Sequence, residues 1–176
     1  MSDSYWIDTV PLKRRFPPCE GTHRADYAVV GGGIAGLAAA YFLSKAGKKV
    51  LLIEQNALAS GDTGYTTAFI SHFLDNAPAT IKAWPAGEEA LKLFQEVVDV
   101  EKIDCEFRRV DAIYFTSQAG NLRADFEELK KIEPGLKFLE SQEASELSKF
   151  KVEGALYIKN EAQFHIRKFL LALADI

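Results

Sequence analysis

The chain has 176 residues, enough for one domain of ordinary size or for two incomplete ones. Apolar residues make up 48% and charged residues 26% of it, a balance that is typical of globular proteins and excludes disorder over most of the chain. The net charge is −4 and the basic residues form no stripe, which indicates no nucleic-acid partner, although an anionic ligand could still bind at a helix amino terminus.

The cysteines and histidines predict neither a disulfide framework nor a metal site. Cys19 and Cys105 lie far apart and form no CxxC pair, which is the pattern of two reduced thiols in a cytoplasmic protein. His23, His72 and His165 are scattered, and none has a zinc-ligand spacing to a cysteine. The polar amino terminus lacks the apolar core of a signal peptide, and no window is apolar enough to predict a membrane span.

The first regular elements are a predicted strand, a tight turn, a helix and a second strand. After an irregular arm over residues 1–25, an apolar run over residues 26–30 ends in three glycines and predicts a strand. Residues 34–46 are apolar nearly all round, as in a buried helix, and Gly47 is placed to cap it. Residues 50–53 are continuously apolar, as in a covered parallel sheet. Together these elements predict one right-handed βαβ crossover in an α/β protein.

The next segment predicts a loop followed by two helices. Residues 55–65 are rich in glycine and hydroxyl side chains, which is typical of a loop. One helix is expected to begin near Thr66 and to run past Phe73, with His72 on one of its faces. Another is expected to begin at Pro85, because proline suits the first position of a helix.

From Cys105 onwards, short strands and helices alternate as in an α+β domain. The predicted strands cover residues 105–109, 112–116, 137–139 and 154–158. The predicted helices cover residues 122–132, a segment capped by Ser141 that runs through Leu147, and residues 164–176. A two-stranded βαβ sheet covers its own edges and faces poorly, so the chain is expected to be part of a longer protein.

A dinucleotide fingerprint lies between the first predicted strand and helix. Residues Gly31-Gly32-Gly33-Ile34-Ala35-Gly36 fit the pattern G-x-G-x-x-G in the required context. Gly31 permits the tight turn, Gly33 lets a pyrophosphate approach the backbone, and Gly36 lets the helix pack close to the sheet. The N–H groups of Ile34 and Ala35 are expected to point toward the phosphates.

Glu54 ends the second predicted strand and follows Gly36 by 18 residues. Its carboxylate can accept hydrogen bonds from both ribose hydroxyls and would repel a 2′-phosphate. The fingerprint alone does not separate FAD from NAD. Residues 59–68, dense in hydroxyls and glycines, could supply further donors to the pyrophosphate and ribityl chain of FAD, or could be an ordinary capping loop, and the chemistry alone favours neither.

Residues 26–68, DYAVVGGGIAGLAAAYFLSKAGKKVLLIEQNALASGDTGYTTA, resemble the amino-terminal FAD-binding segment of the D-amino-acid-oxidase-like (DAO) family. That family includes glycine and sarcosine oxidases and related amine dehydrogenases. Residues 154–174 resemble the stretch that leads the chain back from the substrate domain to the FAD domain. The resemblance implies an incomplete fold with four parts: an arm over residues 1–25, the first part of a Rossmann-like FAD domain over 26–104, part of an α+β substrate domain over 105–160, and a returning helix over 161–176.

The resemblance also implies a set of cofactor-binding positions. The pyrophosphate would contact the fingerprint turn and the start of its helix, and the adenosine ribose would bind Glu54 with Gln55 beside it. The remaining positions would line the rest of FAD. The full set is Gly31, Gly33, Ile34, Ala35, Gly36, Glu54, Gln55, Ser60, Gly61, Thr66, Thr67 and Ala68.

The activity implied by the resemblance is oxidation of the C–N bond of a small-molecule amine or amino acid, by hydride transfer to flavin. Relatives that link flavin covalently through this loop have histidine where this chain has Tyr65, so non-covalent FAD is expected. Relatives also often have His-Pro where this chain has His165-Ile166, which leaves the role of that proline open. Catalytic residues are expected beyond residue 176. Tyr65 is expected to serve packing, His72 to be a residue on a helix face, and Trp84 to be a core or staple residue before Pro85.

Two other interpretations remain open. The same βαβ unit could belong to an NAD-dependent dehydrogenase, or the chain could be a truncated, non-catalytic nucleotide-binding module. The sequence specifies neither the substrate, nor the electron acceptor, nor the oligomeric state.

Overall fold

The computed structural model describes residues 4–11, 16–74, 77–116 and 119–176. The chain divides into two compact units. The first unit comprises Met1–Ala68, Val98–Glu106 and Phe164–Ile176, and the second comprises Phe69–Val97 and Phe107–Gln163.

The helices, in chain order, are α1 (Tyr5–Thr9), α2 (Ile34–Lys45), α3 (Ala77–Glu101), α4 (Ala119–Leu129), α5 (Ser141–Ser148) and α6 (Ile166–Asp175), with a short 3₁₀ helix at Asp62–Tyr65. The strands are β1 (Tyr27–Val30), β2 (Val50–Ile53), β3 (Phe69–Ile70), β4 (Arg108–Thr116), β5 (Lys137–Glu140) and β6 (Gly154–Gln163). Within the described ranges, no helix combines the length and hydropathy that crossing a bilayer requires.

The first unit contains the predicted βαβ crossover. Strands β1 and β2 are parallel, in a register that runs from Tyr27 opposite Val50 to Val30 opposite Ile53. Helix α2 connects them and ends in a Schellman motif: the N–H of Gly47 donates to Ser44 O and the N–H of Lys48 donates to Leu43 O. Gly47 has a φ of +74°, which suits glycine and confirms its predicted role as a cap.

The amino-terminal arm is partly helical, whereas the sequence predicted an irregular segment. Helix α1 forms because Ser4 caps it, with its hydroxyl oxygen accepting from the N–H of Ile7 at 3.4 Å. The Ser4 hydroxyl also donates to Gly64 O, and the Trp6 indole N–H donates to Thr66 O at 2.7 Å. The local sequence did not predict α1 because the contacts that stabilise it join residues about sixty positions apart.

The second unit contains an antiparallel sheet with the order β3-β6-β4, in which β5 also pairs with β6. The sequence predicted separate strands over residues 105–109 and 112–116, but β4 is one strand with a bulge between Val110 and Ala112. The Asp111 carboxylate in this bulge accepts from the Tyr157 hydroxyl and from the N–H of Asn160. Because of the bulge, both halves of β4 pair with β6. The sequence of β4 by itself does not show that the two halves share one partner strand.

Helix α4 packs its predicted apolar face into the core of the second unit. Leu122, Phe126 and Leu129 recur at helical spacing and are at most 8% exposed. Strand β6 contributes Leu156 and Ile158 from the sheet side. The buried members of this core are Trp84, Leu122, Phe126, Leu129, Leu136, Leu156 and Ile158.

The helix predicted from Thr66 past Phe73 is wrong. Phe69 and Ile70 instead form β3, which pairs antiparallel with Gln163 and Ala162 of β6. An aromatic and a β-branched residue suit a strand well, and the partner that decides the matter lies more than ninety residues away.

The predicted helix start at Pro85 is also wrong, because α3 already includes Ala77 and carries Pro85 inside it. Helix α5 begins as expected, but Glu140 is its capping residue and the Ser141 hydroxyl donates to Val152 O instead. Strand β6 extends through Gln163, five residues past its predicted end.

Candidate nucleotide-binding site

The glycine turn between β1 and α2 requires glycine at two positions. Gly31 has a φ of +105°, which side-chain-bearing residues rarely adopt. A Cβ atom on Gly36 would lie 1.9 Å from the carbonyl oxygen of Gly31. The helix therefore crosses the strand end at a distance that only glycine permits.

The amino terminus of α2 presents backbone donors at this turn. Gly33 is the capping residue and has no side chain to cap with. The helix closes its first turn when the N–H of Leu37 donates to Gly33 O at 3.0 Å, so the N–H groups of Ile34, Ala35 and Gly36 precede the first intrahelical hydrogen bond. Such a terminus attracts anions through its N–H groups and its dipole.

Thr63 lies at this helix terminus, although the sequence did not single it out. Its hydroxyl oxygen accepts from the N–H of Ile34 at 3.3 Å. A Cβ atom on Gly33 would lie 2.9 Å from the same oxygen, so a side chain there would displace Thr63. The sequence offered one indication of this role: Thr63 carries a hydroxyl group and follows Ser60 by three residues in a glycine-rich loop.

Glu54 is held next to the glycine turn by its own carboxylate. One oxygen accepts from the N–H of Gly32 at 2.6 Å and the other accepts from the N–H of Asn56 at 2.8 Å. The hydrogen bonds from these two N–H groups hold the pKa of Glu54 below its usual value, and the bond from Gly32 has the larger effect. Each carboxylate oxygen has further acceptor capacity, so both can also accept ribose hydroxyls.

The loop after β2 packs against the glycine turn. The N–H of Ala59 donates to Gly32 O at 2.9 Å, and the Ser60 hydroxyl donates to Ala57 O at 2.7 Å. The N–H of Gly64 donates to Gly61 O at 2.7 Å within the short 3₁₀ helix. Ala59 therefore joins the loop to the fingerprint, whereas the predicted residues Ser60 and Gly61 bond within the loop itself.

The other predicted loop residues make different contacts. The Thr66 hydroxyl accepts from the N–H of Ala68 at 3.3 Å. Ala68 is buried with a φ of +56°, and its carbonyl accepts from the N–H of Phe164 at 3.3 Å. Thr67 is exposed. Tyr65 is 58% exposed, so its expected packing role is wrong. Thr66 and Ala68 thus bond to each other, to Trp6 in the arm and to Phe164 before α6, and to no glycine-turn residue in the described part of the chain.

A groove of about 1110 Å³ lies beside Glu54 in the first unit. Leu37 and Tyr41 of α2 line it, together with Gln55 and Leu58 after β2. Its size suits a small organic ligand, and its wall includes the carboxylate that the sequence assigned to ribose.

Arg167 of α6 is a second residue that the sequence did not single out. It is 3% exposed, and its Nη1 donates to Leu58 O at 3.2 Å and to Ala59 O at 3.1 Å. Its Nε donates to Val10 O at 2.6 Å. An arginine near the start of a helix rich in leucine and alanine was the indication in the sequence.

The second unit contains a buried carboxylate–imidazole pair. His72 Nδ1 lies 3.0 Å from Glu161 Oε1, and the His72 ring stacks on Trp84 at 4.8 Å between centroids. His72 Nε2 is buried and has no hydrogen-bond partner among the described residues. His72 was expected on a helix face, which is wrong because its segment is not helical, whereas the expected burial of Trp84 is confirmed.

Comparison with known proteins shows which fold these elements belong to. The glycine oxidase from Geobacillus kaustophilus superposes with a TM-score of 0.72 at 24% identity, over 87% of this chain and 44% of that one. The L-amino acid deaminase from Proteus myxofaciens superposes with a TM-score of 0.72 at 17% identity, over 91% of this chain and 38% of that one. These similarities confirm the α/β class with a Rossmann-like βαβ unit, and the fold is incomplete relative to these full-length neighbours.

A sequence relative covers nearly the whole chain. The Putative Rieske 2Fe-2S iron-sulfur protein YhfW of Bacillus subtilis is 30% identical over 188 aligned residues, which cover 98% of this chain and 36% of that protein. The chain thus spans less than half the length of these relatives. Residues 26–176 match the family described as DAO, FAD dependent oxidoreductase. The chain therefore belongs to the DAO family of FAD-dependent oxidoreductases.

Proposed function

We propose that this chain forms the amino-terminal part of a flavoprotein that binds FAD non-covalently and oxidises the C–N bond of an amine or amino acid. The observation that carries the proposal is the hydrogen bond between the N–H of Gly32 and Glu54, which joins the phosphate-binding turn to the ribose-binding carboxylate. The printed names of the structural neighbours, a glycine oxidase and an L-amino acid deaminase, support the substrate class.

The diphosphate of FAD would bind at the start of α2. The N–H groups of Ile34 and Ala35 would donate to phosphate oxygens, and the absence of a Cβ on Gly33 would allow close approach. The Thr63 hydroxyl, which accepts from Ile34, can donate its own proton to a phosphate oxygen. Gly31 and Gly36 would act indirectly, by permitting the turn and the close helix–strand contact.

The adenosine half would bind along the groove beside β2. Glu54 would accept the ribose hydroxyls, and its negative charge would disfavour a 2′-phosphate. Gln55 lines the same groove. The other predicted contacts, which would continue toward the flavin, are Ser60, Gly61, Thr66, Thr67 and Ala68.

FAD, when bound, supplies the hydride acceptor for oxidising the carbon that bears the nitrogen. This chain's residues would bind the cofactor by holding its sugar and its phosphates. Tyr65 supports non-covalent binding, because a phenol cannot form the histidyl bond of the covalent relatives. The division into an FAD domain over residues 26–104 and a substrate domain over 105–160 remains part of the proposal.

We also propose a cytoplasmic location. Cys19 is exposed and Cys105 is buried, and both are thiols, which suits a reducing compartment.

The test is titration of the purified chain with FAD and, separately, with NADH, followed by flavin fluorescence and calorimetry. We expect weak, reversible FAD binding that ADP displaces, because the two-stranded sheet of the first unit is marginal by itself. Acid precipitation of the loaded protein should release the flavin into the supernatant. Binding of NADH but not of FAD would overturn the proposal. Flavin that stays with the precipitated protein would overturn the claim that FAD binds non-covalently.

Glu54→Gln is the informative variant. It should weaken ADP binding about tenfold and should reduce discrimination against 2′-phosphorylated ADP, because the charge that repels that phosphate is gone. Glu127→Gln makes the same change of charge on an exposed face of α4 and should bind ADP like the wild type.

A further inference from the structure

Arg167 buries a positive charge that meets no carboxylate among the described residues. It donates instead to the backbone carbonyls of Val10, Leu58 and Ala59, at 2.6, 3.2 and 3.1 Å. The residue is 3% exposed, so these carbonyls replace the water that a guanidinium would otherwise hold. Burying a charge in this way is costly, which indicates that the geometry it creates has a use.

A chain of hydrogen bonds leads from Arg167 to the nucleotide site. Arg167 donates to Leu58 O, which belongs to the same peptide group as the N–H of Ala59; that N–H donates to Gly32 O at 2.9 Å, and the N–H of Gly32 donates to Glu54 at 2.6 Å. Each step joins a different segment of the first unit: α6, the loop after β2, the glycine turn and the end of β2. Moving the Ala59 peptide would therefore move the donor that orients Glu54.

The Ala59 peptide needs such a restraint. Ala59 has a φ of +53°, in the left-handed region that residues with a Cβ adopt only at a cost. Its carbonyl oxygen also leaves no room for a side chain at position 64, where a Cβ atom would lie 2.6 Å away. One guanidinium nitrogen, Nη1, donates to both loop carbonyls, while Nε in the same rigid plane donates to Val10 O; a lysine has no second nitrogen with which to hold Val10 O as well.

We propose that Arg167 is a positioning residue for the nucleotide site: by fixing the Leu58 and Ala59 carbonyls, it holds Gly32 and Glu54 in the arrangement that binds the adenosine diphosphate half of the cofactor. The inference rests on the proposed function, because it assigns Arg167 a role at that same site. Arg167 acts through the loop and does not itself contact the ligand.

The experiment compares the full chain with Arg167→Lys and Arg167→Met, using ADP as the probe. Calorimetry gives the dissociation constant at a temperature where each variant is folded, and carbon-detected NMR follows the titration of the Glu54 carboxyl. Both variants should bind ADP about tenfold or more weakly, because hydrogen bonds from a charged donor are lost. The Glu54 carboxyl should titrate at higher pH than in the wild type, because its Gly32 donor is no longer held in place.

Leu170→Ala is the matched control. Leu170 is fully buried in the same helix, so its truncation destabilises the first unit without touching the loop carbonyls. The folded control should bind ADP like the wild type, with an unchanged Glu54 titration. If it lost as much affinity as the arginine variants, Arg167 would have only a general structural role and the inference would be overturned.

The remaining outcomes are also decisive. Wild-type affinity and an unchanged Glu54 titration in both arginine variants would overturn the inference while leaving the proposed function intact. Full affinity in Arg167→Lys would also overturn the inference, because a lysine lacks the second nitrogen that holds Val10 O beside the loop carbonyls. A wild-type chain that binds neither ADP nor FAD would remove the proposed function and this inference together. If Arg167→Met does not fold, the more conservative lysine variant decides the question.

Discussion

Gly36 shows how a single missing methyl group can determine the geometry of a site. We expect Gly36→Ala to destabilise the first unit by about 1–3 kcal/mol, because its Cβ would lie 1.9 Å from the Gly31 carbonyl and the helix would have to move. Denaturant unfolding of the purified variant measures the effect. Gly61→Ala is the control, since a Cβ there meets no atom within 4 Å and its φ of −82° suits alanine. Equal stability of the two variants would contradict the expectation.

His165 connects two elements of the first unit in its neutral form. Its Nδ1 accepts from the N–H of Lys168 at 3.3 Å as a helix cap, and its Nε2 pairs with the Thr9 hydroxyl at 3.0 Å. Burial is the main cause that lowers the pKa of His165 below its ordinary value of 6.5. The contribution of His165 to the stability of the folded state is therefore fully present above about pH 6.5. It falls as the pH drops from there through the lower pKa that His165 has in the folded protein.

We expect the packing of α1 against α6 to weaken as the pH falls below about 6.5. Trp6 reports on it, since its ring meets the His165 ring edge-on at 4.9 Å. The measurement is Trp6 fluorescence against pH in a Trp84→Phe background. His165→Asn preserves a capping side chain and should abolish the transition. A transition that persists in this variant would assign the effect to another group.

Pro85 lies inside α3, where proline removes a hydrogen-bond donor and crowds the preceding turn. We expect Pro85→Ala to stabilise the protein by up to about 3 kcal/mol, as measured by denaturant unfolding. Pro134 lies outside the helices, so Pro134→Ala should instead be neutral or slightly destabilising, because it only raises the conformational entropy of the unfolded chain. A destabilised Pro85→Ala variant would show that the buried Trp84 beside it depends on the distorted turn.

The two sheets differ in how well their strands are protected. In the first unit β1 and β2 pair only with each other among the described strands, and Val30 remains 83% exposed. In the second unit β6 pairs with three strands and is largely buried. Two-stranded sheets are marginal by themselves, whereas larger sheets with a packed face are stable.

We therefore expect amides of β1 and β2 to exchange with deuterium faster than those of β6. Saturating ADP should slow exchange in the first unit and leave β6 unchanged, because a ligand stabilises the state that binds it. Hydrogen exchange read by mass spectrometry tests both statements. Equal protection of the two sheets without ligand would contradict the first, and protection of β6 by ADP would contradict the second.

Local sequence determined the βαβ unit, since its strands, its helix, the Gly31 turn and the Gly47 cap follow one another within about thirty residues and need few outside contacts. It also revealed the apolar face of α4, because Leu122, Phe126 and Leu129 repeat at helical spacing. Several of the incorrect predictions involve distant partners. Phe69 and Ile70 became a strand because β6 was available to pair with them.

The candidate site likewise combines residues that the sequence identified with residues that only the tertiary structure revealed. The sequence identified the fingerprint glycines and Glu54, because dinucleotide binding demands them at a set spacing. Thr63 and Arg167 became visible only in the tertiary structure, since their roles depend on which backbone groups the fold brings to them. Local propensity and spacing act along the chain, but hydrogen bonds across a loop form only after distant segments have packed. For that reason sequence alone determined the family and the glycine turn, and the tertiary structure decided what holds that turn in place.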